Sequence, residues 1–340
     1  MSNTFDDALG IVFKPIAKPK ANKTPGANRA KKTSLTFGGA GGKKMKMAAR
    51  VAKRTPEVMV KVSGGARGGR GVREHINYIT RNGKIEAENE RGELIVGREA
   101  VREMAAEWRA GDNGATRKNS KDTVNLVLSM PPGTDRDKLQ EAVRQFAAHT
   151  FGADRQYVFA RHDDTKHPHC HLTLKAVGYD GSRLNPRKAD LQAWRESFAE
   201  ALREVGVAAE ATPRRARGVV QKPKRQSVLH VEQRGASTVA RSKVDQAVAA
   251  VAGKDKEARP WQDAVRKQQQ GVRAAWLQAA KALEASGLPD AKALATDLRG
   301  FVKDMPPIQT EREKLEARMR EHLTKERGQV PQRDDHEPTR

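Results

Sequence analysis

Four of the nine histidines of the chain fall within ten residues, in the segment HDDTKHPHCH at positions 162–171. Side chains two positions apart share one face of a β-strand, so His169 and His171 would project together while Cys170 points to an apolar face. If segments 157–162 and 170–177 pair as a hairpin, His162 lies across from them. A single histidine there is simply a solvated strand end, but three neutral imidazoles around one point can hold a catalytic divalent metal ion. We predict a metal site of His162, His169 and His171.

Two further polar residues lie in the link between these segments. His167, next to Pro168, is a weaker candidate for a metal ligand or a proton carrier. Asp164 could orient a ligand imidazole without touching the metal ion.

A tyrosine nucleophile has few possible positions, because the chain contains only Tyr78, Tyr157 and Tyr179. Helical spacing places Tyr78 beside the apolar stripe of its helix, near His75 and Asn82, where a partly exposed phenol can reach a ligand. Taken alone, such a tyrosine is more often a surface aromatic. Tyr157 alternates within a strand pattern and is expected to be structural.

Two other segments have residues suited to binding phosphate. Ser129 falls on the polar face of strand 123–129, the face expected to carry the histidines, and could bind a phosphate or a base. The loop 63–71 contains five glycines with Arg67 and Arg70, and backbone amides at the start of the following helix suit phosphate oxygens. The loop lacks the spacing of dinucleotide-binding or Walker motifs, so we interpret it as a backbone-phosphate contact.

The elements that must position these residues alternate irregularly between strand and helix. Strand patterns begin at Glu57 and recur at 123–129, 157–162 and 170–177, with helical patterns between and after them. Asp135 or Thr134 could cap a helix at 136–150. We predict an α/β (α+β) fold with a mainly antiparallel central sheet and flanking helices.

The charge is uneven along the 340 residues. The chain has 65 Lys and Arg against 42 Asp and Glu, a formal charge of +23, and residues 1–56 alone hold 13 basic and two acidic residues. Such a balance favours a polyanionic partner. We predict a basic, disordered arm at 1–56, a catalytic domain at 57–220, and a basic, mostly helical region at 221–340 with breaks at Gly253, Gly287 and Pro306.

Cysteine content and hydropathy exclude several classes. One cysteine excludes an intramolecular disulfide framework and multi-thiolate zinc sites, and it fits a reducing compartment. No apolar run approaches the length of a membrane span, and the N-terminus lacks a secretory layout. We therefore expect a cytoplasmic protein that binds nucleic acid and does not insert into membranes.

Three motifs together resemble the conjugative relaxases, the mobilisation nucleases of the histidine-hydrophobic-histidine endonuclease superfamily, and among them the type that includes the T-DNA border endonuclease. HINYITRNGK is similar to the first family motif, LSMPPGTD to the second and HDDTKHPHCH to the third, and the similarity runs from about Val58 to about Gly218. Cys170 stands where larger aliphatic residues are common, and the basic arm is a further departure.

The resemblance implies that Tyr78 is the nucleophile, that His162, His169 and His171 bind Mg²⁺ or Mn²⁺, and that Ser129 contacts DNA near the nick. With Arg67, Arg70 and Lys175 we assign four DNA contacts, and we assign His167 and Asp164 as catalytic residues that help take the tyrosine proton.

The function implied is nicking of one strand at a plasmid origin of transfer through a 5′-phosphotyrosyl intermediate. The enzyme would then pilot that strand during mobilisation. Attached to the DNA, it could itself pass into the recipient cell. Its expected partners are single-stranded and duplex origin DNA, mobilisation accessory proteins, a coupling protein and a type IV secretion channel.

Three alternatives stay open. A rolling-circle replication initiator would use the same chemistry, and a non-catalytic DNA-binding mobilisation protein would need only the basic arms. A histidine-triad nucleotide hydrolase fits poorly, since Pro168 is unsuited to a central strand and +23 is left unexplained.

Overall fold

The computed structural model of the chain describes residues 5–13, 40–110, 120–221, 224, 226–253 and 260–328. The strands in these ranges are β1 (Met59–Gly64), β2 (Ala87–Asn89), β3 (Leu94–Ile95), β4 (Thr123–Ser129), β5 (Tyr157–His162) and β6 (His169–Lys175). The helices are α1 (Phe5–Phe13), α2 (Ala40–Ala52), α3 (Gly68–Ile79), α4 (Gly97–Ala110), α5 (Arg136–Phe151), α6 (Lys188–Glu204), α7 (Gln226–Gln233), α8 (Thr238–Val251), α9 (Pro260–Ala285), α10 (Pro289–Lys303) and α11 (Glu311–Gly328), with a short 3₁₀ helix at Arg214–Arg217.

The strands form one antiparallel sheet in the order β1, β4, β6, β5, β2, β3. This confirms the predicted α/β class with an antiparallel central sheet and flanking helices. The strands predicted at 123–129 and 157–162 are β4 and β5. The strand predicted at 170–177 is β6, shifted by one or two residues at its ends, and it forms the predicted hairpin with β5.

One face of the sheet packs against α5 and α6. Leu126, Leu128, Leu172 and Leu174 are completely buried in this core, as the period-two alternation of β4 and β6 requires. Asp135 caps α5 as predicted, its side chain accepting hydrogen bonds from the amides of Asp137 and Lys138. Cys170 lies in the same apolar layer, so its neighbours His169 and His171 are turned to the opposite face.

The opposite face is covered in part by α3 and α4. Ile76 and Ile79 of α3 pack with Trp108 of α4 against Val158 and Ala160 of β5. The short strands β2 and β3, which sequence patterns did not indicate because they span only three and two residues, extend the sheet beside β5. This packing holds the end of α3 above the histidine-bearing strands.

The described chain divides into two compact units, one from Lys46–Thr212 and one that joins residues up to 45 with those from 213 onward. The first unit is tied at its ends, where the Val58 amide donates to the Glu210 carbonyl at 3.0 Å and the Glu210 amide donates to the Pro56 carbonyl at 2.9 Å. The Arg50 guanidinium also pairs with the Glu210 carboxylate at 2.5 Å.

Parts of the predicted disordered arm are helical. In α1, Phe5, Leu9 and Val12 recur at helical spacing, and all three are buried where α1 packs against α9. The arm also includes α2. The high positive charge of residues 1–56 led to the prediction of disorder, although this short apolar stripe is present. Residues 1–4 and 14–39 of the arm lie outside the described ranges.

The C-terminal region is helical as predicted, and its helices are interrupted where Gly253, Gly287 and Pro306 occur. Trp276 of α9 is fully buried, and its indole N–H donates to the Ala216 carbonyl at 2.8 Å. None of the helices in the described ranges is long and apolar enough to cross a membrane.

Burial makes the single thiol a probe of sheet integrity. Cys170 is inaccessible, and desolvation raises its pKa to about 12, whereas the thiolate is the reactive form. We expect no reaction with a soluble aromatic disulfide reagent near neutral pH, and full reaction after unfolding in guanidinium chloride. Equal rates in the two conditions would show that β6 is not buried in the native protein.

Candidate active site

Three imidazoles converge where the link 163–168 joins β5 to β6. His162 and His169 are directly paired across the two strands, and His171 lies two residues further along β6. The ring centroids of His162 and His171 are 4.4 Å apart, and each is 5.3 Å from that of His169. One nitrogen from each ring lies within 4.8 Å of the others, so the three side chains can share one ion.

Backbone carbonyls orient two of these rings. His162 Nε2 is 2.7 Å from the Ile79 carbonyl, and His169 Nδ1 is 3.1 Å from the His167 carbonyl. Because a carbonyl oxygen only accepts, the facing nitrogens carry the protons and leave His162 Nδ1 and His169 Nε2 with lone pairs. Metal-binding histidines commonly donate their second nitrogen in this way.

Burial favours the neutral form of two of these imidazoles. Desolvation, with smaller contributions from His162 and His169, lowers the pKa of His171 to about 3. Desolvation also lowers the pKa of His162. Neutral imidazole is the form that donates to a metal ion, so the donor set fits a divalent cation at neutral pH.

Tyr78 stands next to this cluster, in the last turn of α3. Its ring centroid is 5.6 Å from that of His171 and 6.3 Å from that of His162, and the residue is 53% exposed. Tyr157 is buried in the sheet, which raises its pKa to about 12, and Tyr179 lies exposed after β6 without a ring contact to the histidines. Among the three tyrosines, Tyr78 combines access with proximity to the cluster.

The polar residues of the β5–β6 link differ in part from expectation. The imidazole of His167 is exposed and lies outside the cluster of His162, His169 and His171. Its backbone carbonyl contacts His169 Nδ1 instead. Asp164 was expected to orient an imidazole, but its carboxylate pairs with Arg81 Nη2. That guanidinium also lies 3.3 Å from His162 Nδ1, so it stands between the carboxylate and the ring.

Ser129 occupies the predicted face and is paired with His169 across β4 and β6. Its hydroxyl is buried and donates to the Pro168 carbonyl at 3.0 Å. The residue therefore anchors the end of the link in this structure, and contact with DNA stays a prediction.

The predicted phosphate loop is engaged by protein groups. The Gly68 amide at the start of α3 donates to the Asp122 carboxylate at 2.5 Å, which occupies the position expected for a phosphate. Arg67 is exposed just before the helix, while Arg70 pairs with Glu74 at 2.8 Å. Lys175 ends β6 on the same side as His171, and its Nζ donates to Gln156.

Three residues that support the site were given no role by the sequence reasoning, although it placed His75 near Tyr78. The Arg81 Cζ lies 5.2 Å from the Tyr78 ring centroid. The His75 ring centroid lies 6.2 Å from that of Tyr78, and its Nε2 is 3.0 Å from Thr173 Oγ1. Arg136 holds the link, donating to Asp163 at 2.8 Å and to the Thr165 carbonyl at 2.9 Å.

A signal for the position of Arg81 was present in the Asn-Gly pair that follows it. Arg81, Asn82 and Gly83 all have positive φ, at 51°, 58° and 80°, and Asn-Gly favours such left-handed turns. The tight turn folds Arg81 back toward Tyr78.

A six-stranded antiparallel sheet whose hairpin gathers three histidines beside a helix-borne tyrosine agrees with the resemblance to nucleases of the histidine-hydrophobic-histidine type. Residues 78–207 match the model of the relaxase family described as MobA/VirD2-like, nuclease domain. This part of the chain is thus similar to that family, as the sequence motifs predicted.

Curated relatives agree with this placement. T-DNA border endonuclease VirD2 of Rhizobium radiobacter is 28% identical over 166 residues, covering 44% of this chain and 39% of the relative. The proteins of the same description from Rhizobium rhizogenes and Agrobacterium fabrum are each 26% identical over 167 residues, covering 44% of this chain and 38% and 37% of the relatives. The chain thus spans about two fifths of the length of these relatives.

The affinity for Mn²⁺ should show which of two neighbouring histidines, His167 in the link and His169 in β6, binds the metal ion. We expect His169→Ala to weaken Mn²⁺ binding by about tenfold or more, since one of three donors is lost, and His167→Ala to leave it within about twofold. Isothermal titration of each variant with Mn²⁺ measures this, with thermal melts to verify folding. Equal losses in both variants would contradict the assigned donor set.

The turn after Tyr78 depends on Gly83. A Cβ at this position would lie 2.4 Å from the Gly97 carbonyl carbon, whereas one at Gly92, which has a similar positive φ, would meet no atom within 4 Å. Both Gly→Ala changes incur backbone strain of about 1–2 kcal/mol. We expect Gly83→Ala to lower the free energy of unfolding in urea by at least about 1 kcal/mol more than Gly92→Ala; equal losses would contradict the close packing.

Proposed function

We propose that this protein is a relaxase that nicks one strand of DNA at a plasmid origin of transfer by tyrosine transesterification. The observation that carries the proposal is the exposed Tyr78 phenol beside three converging imidazoles. The similarity of residues 78–207 to the MobA/VirD2-like relaxase nuclease domain supports nuclease chemistry on DNA.

In the proposed reaction, Tyr78 Oη attacks the phosphorus of one phosphodiester. A bond forms between Oη and phosphorus, the bond from phosphorus to the 3′ oxygen of the preceding nucleotide breaks, and that oxygen leaves as a 3′-hydroxyl after gaining a proton. The product is a 5′-phosphotyrosyl enzyme. Since one phosphodiester replaces another, the 3′-hydroxyl can attack in reverse and rejoin the strand.

The imidazoles of His162, His169 and His171 would hold Mg²⁺ or Mn²⁺, which when bound supplies Lewis-acid polarisation of the scissile phosphate. The Tyr78 proton must also be removed, because a phenol with an ordinary pKa near 10 is a weak nucleophile at pH 7. His167, which is exposed in the link next to the site, is the proposed acceptor, because the Asp164 carboxylate is already paired with Arg81.

DNA contacts are proposed on the surfaces around Tyr78. Arg67 and Arg70 lie exposed at the start of α3, and Lys175 follows the histidines on their face of β6. Ser129 would act near the nick through the link that it anchors. The strong positive charge of residues 1–56 would add salt-sensitive, sequence-independent affinity for DNA.

The wider role follows from the same proposal. A covalently attached strand would be piloted during conjugative mobilisation, from the cytoplasm of the donor toward a recipient cell. Accessory mobilisation proteins, a coupling protein and a type IV secretion channel would be the partners, with the C-terminal helices as the surface that they use.

The decisive experiment is covalent trapping. We expect the full chain, given labelled single-stranded origin DNA and Mn²⁺, to form an adduct stable on denaturing gels. Tyr78→Phe should reduce adduct formation by at least about a thousandfold, because it removes the attacking oxygen, whereas Tyr179→Phe, another exposed tyrosine, should retain it.

Each other outcome identifies an alternative. Cleavage without an adduct would indicate a hydrolytic nuclease, and binding without cleavage would favour a non-catalytic mobilisation protein. Adduct formation at a replication origin, but not at a transfer origin, would favour a replication initiator.

A further inference from the structure

Arg81 places a permanent positive charge beside the Tyr78 ring. Its Cζ lies 5.2 Å from the Tyr78 ring centroid, and its Nη2 contacts both His162 Nδ1 and the Asp164 carboxylate. The left-handed φ of 51° folds the side chain back over the end of α3. A bulky residue adopts this backbone only when its surroundings fix it.

The Arg81 guanidinium has N–H donors that its contacts in the structure do not use. Its hydrogen bonds within the described residues all use Nη2, which leaves the Nε and Nη1 groups for a ligand. The side chain is 37% exposed, so a ligand from solvent can reach it. Arginine presents its donors in a planar fork that matches the oxygens of a phosphate.

We infer that Arg81 is a catalytic residue that binds a non-bridging oxygen of the scissile phosphate, and that Asp164 is a positioning residue acting through Arg81. The inference rests on the proposed function, because a phosphorus atom attacked by Tyr78 must come next to the ring that Arg81 contacts. It gives Asp164 a role other than taking the tyrosine proton.

The positions of the charges support this division of roles. Asp164 contacts Nη2 and thereby restricts the guanidinium to the side of Tyr78. Nη2 also faces His162 Nδ1. Because that lone pair would go to a metal ion when one is bound, the Asp164 contact is the one that holds the guanidinium, and it leaves the other edge of the fork free. Charge on the phosphate increases as the new bond forms, and a fixed cation stabilises it without reorganisation.

The first test is a binding cycle that requires no cleavage. In the Tyr78→Phe background with EDTA, DNA that carries a methylphosphonate at the scissile position lacks the charged oxygen. We expect this DNA to bind about tenfold more weakly than native DNA when Arg81 is present, and within about twofold of native DNA when Arg81→Gln is added. Arg102→Gln, an exposed arginine of α4 paired with Glu99, is the matched control and should preserve the tenfold difference.

The second test uses the rate of adduct formation in single turnovers. Arg81→Gln should lower it by about a hundredfold, and Arg81→Lys, which keeps the charge but not the fork, by less. Asp164→Asn should lower the rate in the native background and have no further effect on the Arg81→Gln variant. Thermal melts verify that each variant folds.

Three results would overturn the inference. A tenfold methylphosphonate effect that persists in Arg81→Gln would show that another group binds the oxygen. Full additivity of Asp164→Asn and Arg81→Gln would show that Asp164 acts independently. A slower rate in Arg81→Gln without coupling to the methylphosphonate would assign Arg81 to the phenolate alone. Absence of any adduct with the unmodified chain would instead refute the proposed function, which the binding cycle does not require.

Discussion

The antiparallel register of β5 and β6 is the constraint on which the rest of the site depends. It pairs His162 with His169 and places Cys170 and Leu172 on the opposite face. A slip of one residue would bury the histidines among the leucines of the α5–α6 core and expose the leucines. Since each fully buried leucine stabilises the fold by about 1.5–3 kcal/mol, the apolar face fixes the register that the polar face uses.

The second requirement is that the end of α3 be coupled to this hairpin. Ile76 and Ile79 are buried against β5, and the Ile79 carbonyl accepts from His162 Nε2. The same contact therefore orients an imidazole and fixes the helix turn that carries Tyr78. Tyr78, the proposed nucleophile, and the candidate metal ligands are thus positioned by one packed interface, which explains how an exposed tyrosine can be held without burial of its own ring.

Local periodicity accounts for what could be predicted from the sequence. The alternation in β4, β5 and β6 and the spacing of the three histidines depend on neighbours within one or two strands, and both predictions agree with the structure. The partner of Asp164, in contrast, is Arg81, which is 83 positions away in sequence. Likewise, the amide of Gly68 is bound by Asp122, and the hydroxyl of Ser129 by the Pro168 carbonyl. Such pairings are set by tertiary contact, and no pattern within one segment specifies them.

The division of charge in the site follows from burial. His171 is desolvated and therefore neutral, whereas Arg81 carries the permanent charge of a guanidinium and pairs with Asp164. A buried cation at the position of His171 would repel a metal ion, and a neutral group at the position of Arg81 could not attract a phosphate. His162 and His171 are buried beside Tyr78, whereas the Arg81 guanidinium is partly exposed. In the proposed reaction, a single strand approaching from solvent would meet the phenol and the guanidinium first, next to the buried lone-pair donors, which is the arrangement that phosphoryl transfer to a tyrosine requires.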